Sequence, residues 1–402
     1  MNTNQPVIPS KRTWSPQQEA IFQEFRSGKG NTVVRARAGT GKTTMILEGI
    51  GVARESKILL AAFNKSIAME LKEKLRNPCA EAKTLHSIGF GIVMNNWKNV
   101  AGKKPDEERA DRLATRAIGH APGPIVGLVR KLAALGKGMA PFAKASDLED
   151  IAYEFECVPD EGQQSAGWTV PVIAQAAETA MALAAQNDGT IDFDDMVYVP
   201  VRNGWVRGKY DLVVVDECQD MNATQIALAI GICKMGGRIF VVGDDRQAIY
   251  RFRGADSGSL DRLKTQLNAK ELGLTITYRC PRLIVQEAQA LVPDYQAAPS
   301  APEGVIEELS FDAIHEKARP GDFVLSRKNA PLAKVCLSLL RNNVRAMIEG
   351  KDLGRQLLTV IKNIRARSVP DFMEKLTIWE DRTIERLQAA KKKSAESAIE
   401  LV

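Results

Sequence analysis

Asn31-Thr32-Val33-Val34-Arg35-Ala36-Arg37-Ala38-Gly39-Thr40-Gly41-Lys42-Thr43-Thr44-Met45-Ile46-Leu47 is the stretch whose reading decides the fold. It opens as a β-branched strand, turns through small residues and continues as a helix. A phosphate-binding loop needs that order, because small residues let backbone N–H groups turn toward an anion at a helix N-terminus, where the dipole favours negative charge. In such a loop residues Ala36 to Gly41 wrap the phosphates, Lys42 reaches the β and γ phosphates and the Thr43 hydroxyl holds Mg²⁺. Ala36 stands where the general pattern has its first glycine. A glycine turn that merely caps a helix is the plainer alternative, and the preceding strand argues against it.

Outward from this loop, short apolar runs recur with helical segments between them: Thr32 to Arg35, Ile58 to Ala62, Leu212 to Val215, Arg238 to Val242, Leu274 to Thr277 and Phe323 to Ser326. Near-continuous apolar strands alternating with helices indicate a parallel sheet covered on both faces, so the fold class is α/β. After the second strand, Ile67, Leu71 and Leu75 recur every four residues among lysines and glutamates, the stripe of a helix packed on a sheet.

Between about residues 95 and 190 the strand rhythm stops and alanine-rich helical segments take over, which reads as a helical insertion. Its stretch from Lys98 to Lys144 holds ten Lys or Arg against four acids, a local +6. The whole chain, 402 residues with 55 Lys plus Arg against 49 Asp plus Glu, is also +6. The patch reads either as a solvated helical surface or as a contact for a polyanion backbone.

The composition, 45% hydrophobic and 26% charged, is that of a folded globular chain and excludes a disordered or collagenous one. Six scattered cysteines without a CxxC pair and three scattered histidines predict reduced thiols and no zinc site. The N-terminus lacks the apolar core of a secretory signal and no run approaches a membrane span, so the expected compartment is the cytoplasm, away from membranes.

Two further motifs follow the loop. Leu212-Val-Val-Val-Asp216-Glu217-Cys218-Gln219-Asp220 is an apolar strand ending in acids; a rigid strand tip suits Asp216 to the Mg²⁺ hydration shell and Glu217 to orienting and deprotonating a water. Val241-Val-Gly243-Asp244-Asp245-Arg246-Gln247-Ala248-Ile249-Tyr250-Arg251-Phe252-Arg253-Gly254 is another strand end, placing Gln247 near a γ phosphate and projecting Tyr250, Phe252 and Arg253 toward a second ligand. Alone, each could be an ordinary polar strand end; each motif strengthens the others.

Together these residues resemble the superfamily 1 DNA helicases of the UvrD, Rep and PcrA type, over about residues 10 to 350. ARAGTGKT resembles that family's phosphate loop, which often begins with Ala; DECQD is similar to its DEAQD; GDDRQAIYRFRGA looks like its third motif, in which the glutamine senses phosphate and the aromatics contact single-stranded DNA. Trp14-Ser15-Pro16-Gln17-Gln18 resembles its adenine-reading motif, with Gln18 as the reader, although Ser15, Pro16 and Gln18 equally make a helix start. Phe63 and Asn64 resemble the residues that stack and hold a base. Thr84 and His86 resemble the next DNA-contacting loop, where a lone histidine would otherwise be an ordinary core or surface residue. The resemblance makes Tyr278 an adenine-stacking residue and Arg279 the arginine that neutralises transition-state charge. Thr44 stands where the family usually places an arginine near the base. Gly189 to Met196 resembles the segment before DEAQD and receives no catalytic role.

What the resemblance implies is a RecA-like ATP-binding lobe at 1–95 and 190–278, a helical insertion at 96–189 that contacts DNA, and at 279–402 the start of a second RecA-like lobe. Leu325 to Asn329 and Arg345 to Gly350 look like the opening of that lobe, but neither the family's TxHxxKGLEW-like motif nor its YVAxTRA-like motif occurs between Phe323 and Val402. The implied function is an ATP- and Mg²⁺-dependent helicase or translocase moving 3′ to 5′ on single-stranded DNA and at duplex junctions, with a protein loader or a missing C-terminal half as candidate partners. The alternative is a truncated or degenerate module that binds ATP and DNA without unwinding. A phosphate-loop kinase would not need the paired acidic and aromatic motifs.

Overall fold

The computed structural model describes residues 13–247, 259–326, 329–348, 364–368, 371–372, 374–379 and 381–382. The chain divides into two compact units, Met1–Val305 and Ile306–Val402.

The first unit is built on six parallel strands, β1 (Thr32–Ala36), β2 (Ile58–Ala62), β3 (Ala80–Thr84), β4 (Tyr210–Val215), β5 (Cys233–Gly243) and β6 (Lys270–Leu274), in the order β3-β2-β4-β5-β1-β6. Side chains alternate across the strands, so each buried strand serves two cores. Val34, Ile58, Leu60, Val214, Phe240 and Val242 face α1 (Pro16–Ser27), α2 (Lys42–Val52) and α3 (Lys65–Lys74). Val33, Leu59, Val213, Val215 and Val241 face the other side, under α4 (Leu85–Asn96). The start of α1 is a capping box: Ser15 Oγ accepts from Gln18 N and Gln18 Oε1 accepts from Ser15 N.

Between α4 and β4 runs a helical region comprising α5 (Arg109–Ile118), α6 (Gly123–Met139), α7 (Ala145–Glu154), α8 (Glu161–Ser165), α9 (Val170–Ala184) and α10 (Asp195–Arg202). It has a core of its own around Ile125, Leu132, Leu148, Ile173 and Ala177, into which α4 sends Val93 and α10 sends Tyr198. The chain then passes through α11 (Ala223–Gly231) and α12 (Ser259–Gln266) on the second sheet face, and on to a small parallel pair, β7 (Ile276–Thr277) and β8 (Gln296–Ala297), joined through α13 (Arg282–Gln289).

Three expectations need correction. Leu274 to Thr277 is not one strand: β6 ends at Leu274 beside β1, and β7 pairs elsewhere, with β8. Phe323 to Ser326 forms no strand; Phe323 and Leu325 are 84% and 87% exposed, and among the described residues of 306–402 there is no strand to pair with. That unit contains α14 (Ile314–Lys317) packed on α15 (Asn329–Arg341), where Val335 and Leu339 are buried. Finally, the basic stretch is not one surface. Arg109 and Lys137 are buried against Asp195, and Arg112, Arg130 and Lys144 pair with Asp106, Asp111 and Glu178. Among the described residues no helix is long and apolar enough to cross a membrane.

Candidate functional site

The strand order sets β4, β5 and β1 side by side, so the three motifs emerge from adjacent strand tips at the carboxyl edge of the sheet, where ligands of open α/β sheets bind. Ala36 ends β1, and Gly39 and Gly41 both hold left-handed φ angles, +69° and +82°, which small residues without Cβ adopt at no cost. Gly41 is also the N-cap of α2, with no side chain covering the helix end, so the first-turn N–H groups of Lys42, Thr43 and Thr44 face outward. Thr40 is buried, its hydroxyl donating to Arg37 O.

Lys42 Nζ lies 2.9 Å from Glu217 Oε2 across the site. Glu217 sits in the left-handed region at φ 49°, a conformation costing a non-glycine residue roughly 1–2 kcal/mol, and that turn directs its carboxylate at the lysine. Burial, together with the Glu217 charge, pushes Asp216 up to about 7, and burial with the same neighbour pushes Asp220 up to about 6. Three acids therefore crowd one lysine, and Asp220 Oδ1 is buried without a hydrogen-bond partner. Buried Asp216 and the unpartnered Asp220 oxygen leave carboxylate oxygens at the strand tip that fit Mg²⁺, which takes one or two protein carboxylates and shares phosphate oxygens. Thr43 and Asp216 are the residues that would hold it.

Gln219 connects this tip to the next. Its Nε2 donates to Glu217 Oε2 at 2.9 Å and its Oε1 accepts from Asp244 N at 3.0 Å. Asp244 in turn accepts from Gln247 Nε2 through Oδ2 and from Arg37 Nη1 through Oδ1 at 3.1 Å. Arg37 thus contributes its backbone to the loop while its side chain turns into carboxylates; burial opposes its charge, but Asp294, Asp245 and Asp244 outweigh that and hold its pKa above the ordinary value.

A fourth segment closes over the loop. Tyr278 N donates to Gly39 O at 2.9 Å and Tyr295 OH donates to Ala38 O at 2.8 Å. A Cβ on Gly39 would lie 2.5 Å from Thr277 Oγ1 and 2.6 Å from Arg279 Cβ, so only glycine fits there. Tyr278 and Arg279, both exposed, are thereby carried to the loop's edge. On the opposite side Gln18 Nε2 is 3.7 Å from where a Gly41 Cβ would be, while Gln17 is engaged with Thr275 through both amide atoms. Gln18 is thus a capping residue and a neighbour of the loop at once.

Phe63, Asn64, Thr84 and His86 are brought together in a cavity of about 1040 Å³ between the sheet edge and the helical region. Asn64 caps α3 by accepting from Ile67 N, and Thr84 caps α4 by accepting from Ser87 N, so two helix N-termini open into it. Lys65 and Lys72 add positive charge, while Lys131 Nζ donates to Phe155 O and buried Lys137 is paired with Asp192 and Asp195. His86 is half-buried with its pKa lowered by burial against the pull of Asp194, and its ring lies 6.0 Å from that of Phe193. Tyr250, Phe252 and Arg253 lie outside the described residues.

Sequence reasoning passed over Gln219, Thr277, Asp294, Tyr295 and Phe193. The first is visible within DECQD as an amide between acids, and Phe193 as an aromatic among aspartates; Thr277, Asp294 and Tyr295 carry no local signal, because their contacts are with a loop some 240 to 260 residues away.

The UvrD/REP helicase N-terminal domain family matches residues 14–268. Among curated proteins, the chain is 24% identical over 299 residues to the ATP-dependent DNA helicase PcrA of Bacillus subtilis, covering 69% of this chain and 39% of that protein. It is 24% identical over 326 residues to the probable DNA helicase II homolog of Mycoplasma pneumoniae, covering 74% and 45%. To PcrA of Staphylococcus epidermidis it is 22% identical over 299 residues, covering 69% and 39%. The matched stretch spans about two fifths of the length of these relatives.

Proposed function

The chain belongs to the UvrD/REP helicase N-terminal domain family, and from that premise we propose that it binds ATP with Mg²⁺ at the carboxyl tips of β1, β4 and β5, hydrolyses it, and couples the cycle to 3′ to 5′ movement on single-stranded DNA held in the neighbouring groove. The observation that carries the reading is the meeting of Lys42 with Glu217, 175 positions apart in sequence, at 2.9 Å beside buried Asp216, which supports one phosphate-handling centre built from two motifs.

In this reading Lys42 leaves Glu217 for the β and γ phosphates, and the loop N–H groups and the start of α2 hold the remaining oxygens. Glu217, freed, orients a water and takes its proton. Mg²⁺, when bound, offsets phosphate charge. Gln247 reports the γ phosphate to Asp244, and Arg279 is placed to neutralise charge that develops on transfer. Gln18 and Tyr278 flank the loop as base contacts.

Residues 1–95 and 190–278 form the ATP-binding lobe in this account, 96–189 the far wall of the DNA groove, and 279–402 the opening of a second lobe. Phe63, Phe193 and His86 supply stacking faces, and the capped starts of α3 and α4 together with the lysines supply backbone attraction; stacking of that kind is sequence-tolerant. Duplex junctions and a loading protein are the corresponding partners.

Affinity for a fluorescent oligo-dT, measured without nucleotide, with ADP and with a non-hydrolysable ATP analogue, tests the coupling. The reading expects at least one nucleotide state to shift the dissociation constant several-fold. Equal affinity in all three states would refute it.

A further inference from the structure

Arg37 is a large cation in a loop that works by keeping side chains small, yet it is only 6% exposed. Its guanidinium meets carboxylates from separate segments: Nη1 donates to Asp244 Oδ1 at 3.1 Å and to Asp245 Oδ1 at 2.8 Å, and Nε donates to Asp294 Oδ1 at 3.0 Å. Asp244 and Asp245 follow β5 and lead into Gln247. Asp294 immediately precedes Tyr295, whose hydroxyl holds Ala38 O at 2.8 Å. From Asp244 the bonds run on: its N–H donates to Gln219, Gln219 donates to Glu217, and Glu217 accepts from Lys42. A hydrogen-bonded ring therefore leaves the phosphate loop at Arg37 and returns to it at Lys42.

We infer that the Arg37 side chain is a positioning residue for triphosphate recognition: it clamps the Asp244–Gln247 turn and the Asp294–Tyr295 segment onto the phosphate loop, so that drawing Lys42 off Glu217 and engaging Gln247 occur as one event. The inference rests on the nucleotide reading above and deepens it. Asp244 is buried, and a buried carboxylate keeps its place only while a cation and hydrogen bonds hold it. Arg37 is the cation on Asp244, and Gln247 hangs from the other oxygen of the same carboxylate. A diphosphate competes with Glu217 for Lys42 alone. A triphosphate also engages Gln247, so the clamp acts on the difference between the two ligands rather than on either alone. Lysine cannot replace the clamp fully, since it lacks the planar fork that reaches three acids at once.

The test measures dissociation constants of the full chain for Mg·ADP and for a non-hydrolysable Mg·ATP analogue, in wild type and in Arg37→Gly, Arg37→Lys and Asp294→Asn, with melting temperatures alongside. The expected result for Arg37→Gly is analogue binding weakened about tenfold more than ADP binding, the scale of one charge-assisted hydrogen bond. Arg37→Lys restores part of the difference. Asp294→Asn, at a position 45% exposed, gives a smaller change in the same ratio and keeps the test open if Arg37→Gly fails to fold. An unchanged ratio in these variants overturns the clamp, as does parallel loss of both nucleotides together with melting temperature, which would make Arg37 a fold residue only. A wild-type chain that binds neither nucleotide overturns the nucleotide reading itself, and with it the clamp.

Discussion

Two of the buried-charge clusters in the first unit are built to opposite ends. In the helical region, Lys137 donates to Asp195 at 2.7 Å and pairs with Asp192, while Arg109 holds Asp195 at 2.8 Å and also binds Asp188, Thr190 Oγ1 and the Ala184 carbonyl. Burial opposes the charge of Lys137 and Arg109, yet their acidic partners outweigh it and both stay above their ordinary pKa values. At the tips of β1 and β4, a single lysine faces Asp216, Glu217 and Asp220, and burial drives two of those acids upward. In the first cluster burial likewise raises Asp192 to about 6, but each of its three acids is paired with a buried cation, so the cluster works as a strut. The second carries surplus negative charge, which a bound cation would offset. Burial of charge alone does not mark a site; the imbalance of its partners does.

The largest effects are expected at the second cluster. Lys42→Ala should lower ATP turnover by roughly 100-fold or more, since it removes the charge aimed at the phosphates. Glu217→Gln should lower turnover by about 10²–10⁴-fold while nucleotide binding persists, the signature of a lost base. Steady-state ATPase and fluorescent-nucleotide binding check both. Wild-type turnover in either variant would mean that the charge imbalance marks nothing.

At the strut the expected loss is in stability. Asp195→Asn leaves Lys137 and Arg109 buried without their shared partner and should cost about 3–5 kcal/mol in chemical denaturation. Loss of turnover without loss of stability would move this cluster from strut to site. In the groove, Phe63→Ala should weaken single-stranded DNA binding by about 1–3 kcal/mol and leave DNA-free nucleotide affinity in place, which fluorescence anisotropy can follow. Smallest of all, Lys144→Ala breaks an exposed pair with Glu178 and should change stability by under about 1 kcal/mol. A larger loss there would show that the basic stretch is held by more than its buried members.

The centre of the sheet was legible and its edges were not, for one physical reason. β2 throughout and β4 from Leu212 onward are buried on both faces, so those stretches are uninterrupted apolar runs and betray themselves. β3, Ala-Glu-Ala-Lys-Thr, and β6, Lys-Glu-Leu-Gly-Leu, are edge strands, and edges carry charge that guards against further pairing. Phe323 to Ser326 failed in the opposite sense: an apolar run is a strand only where another strand receives it. Among the candidate site residues, the phosphate loop and DECQD were readable because each motif is contiguous, and the groove placed Phe63, Asn64, Thr84 and His86 together. The Gln219 bridge, the Arg37 carboxylates and the Tyr295 contact were hidden, because they depend on which strand tips the sheet order makes neighbours. The charge of the basic stretch misled because a count of lysines and arginines does not say which of them face inward.

The account stands or falls on steady-state ATP hydrolysis by the 402-residue chain with and without single-stranded DNA, with Glu217→Gln as the blank. It predicts turnover above the blank that rises when DNA is added, which would tie the strand-tip centre to the groove. Turnover equal to the blank in both conditions, with ATP and DNA still bound, would contradict it and leave a module that holds both ligands without driving one by the other.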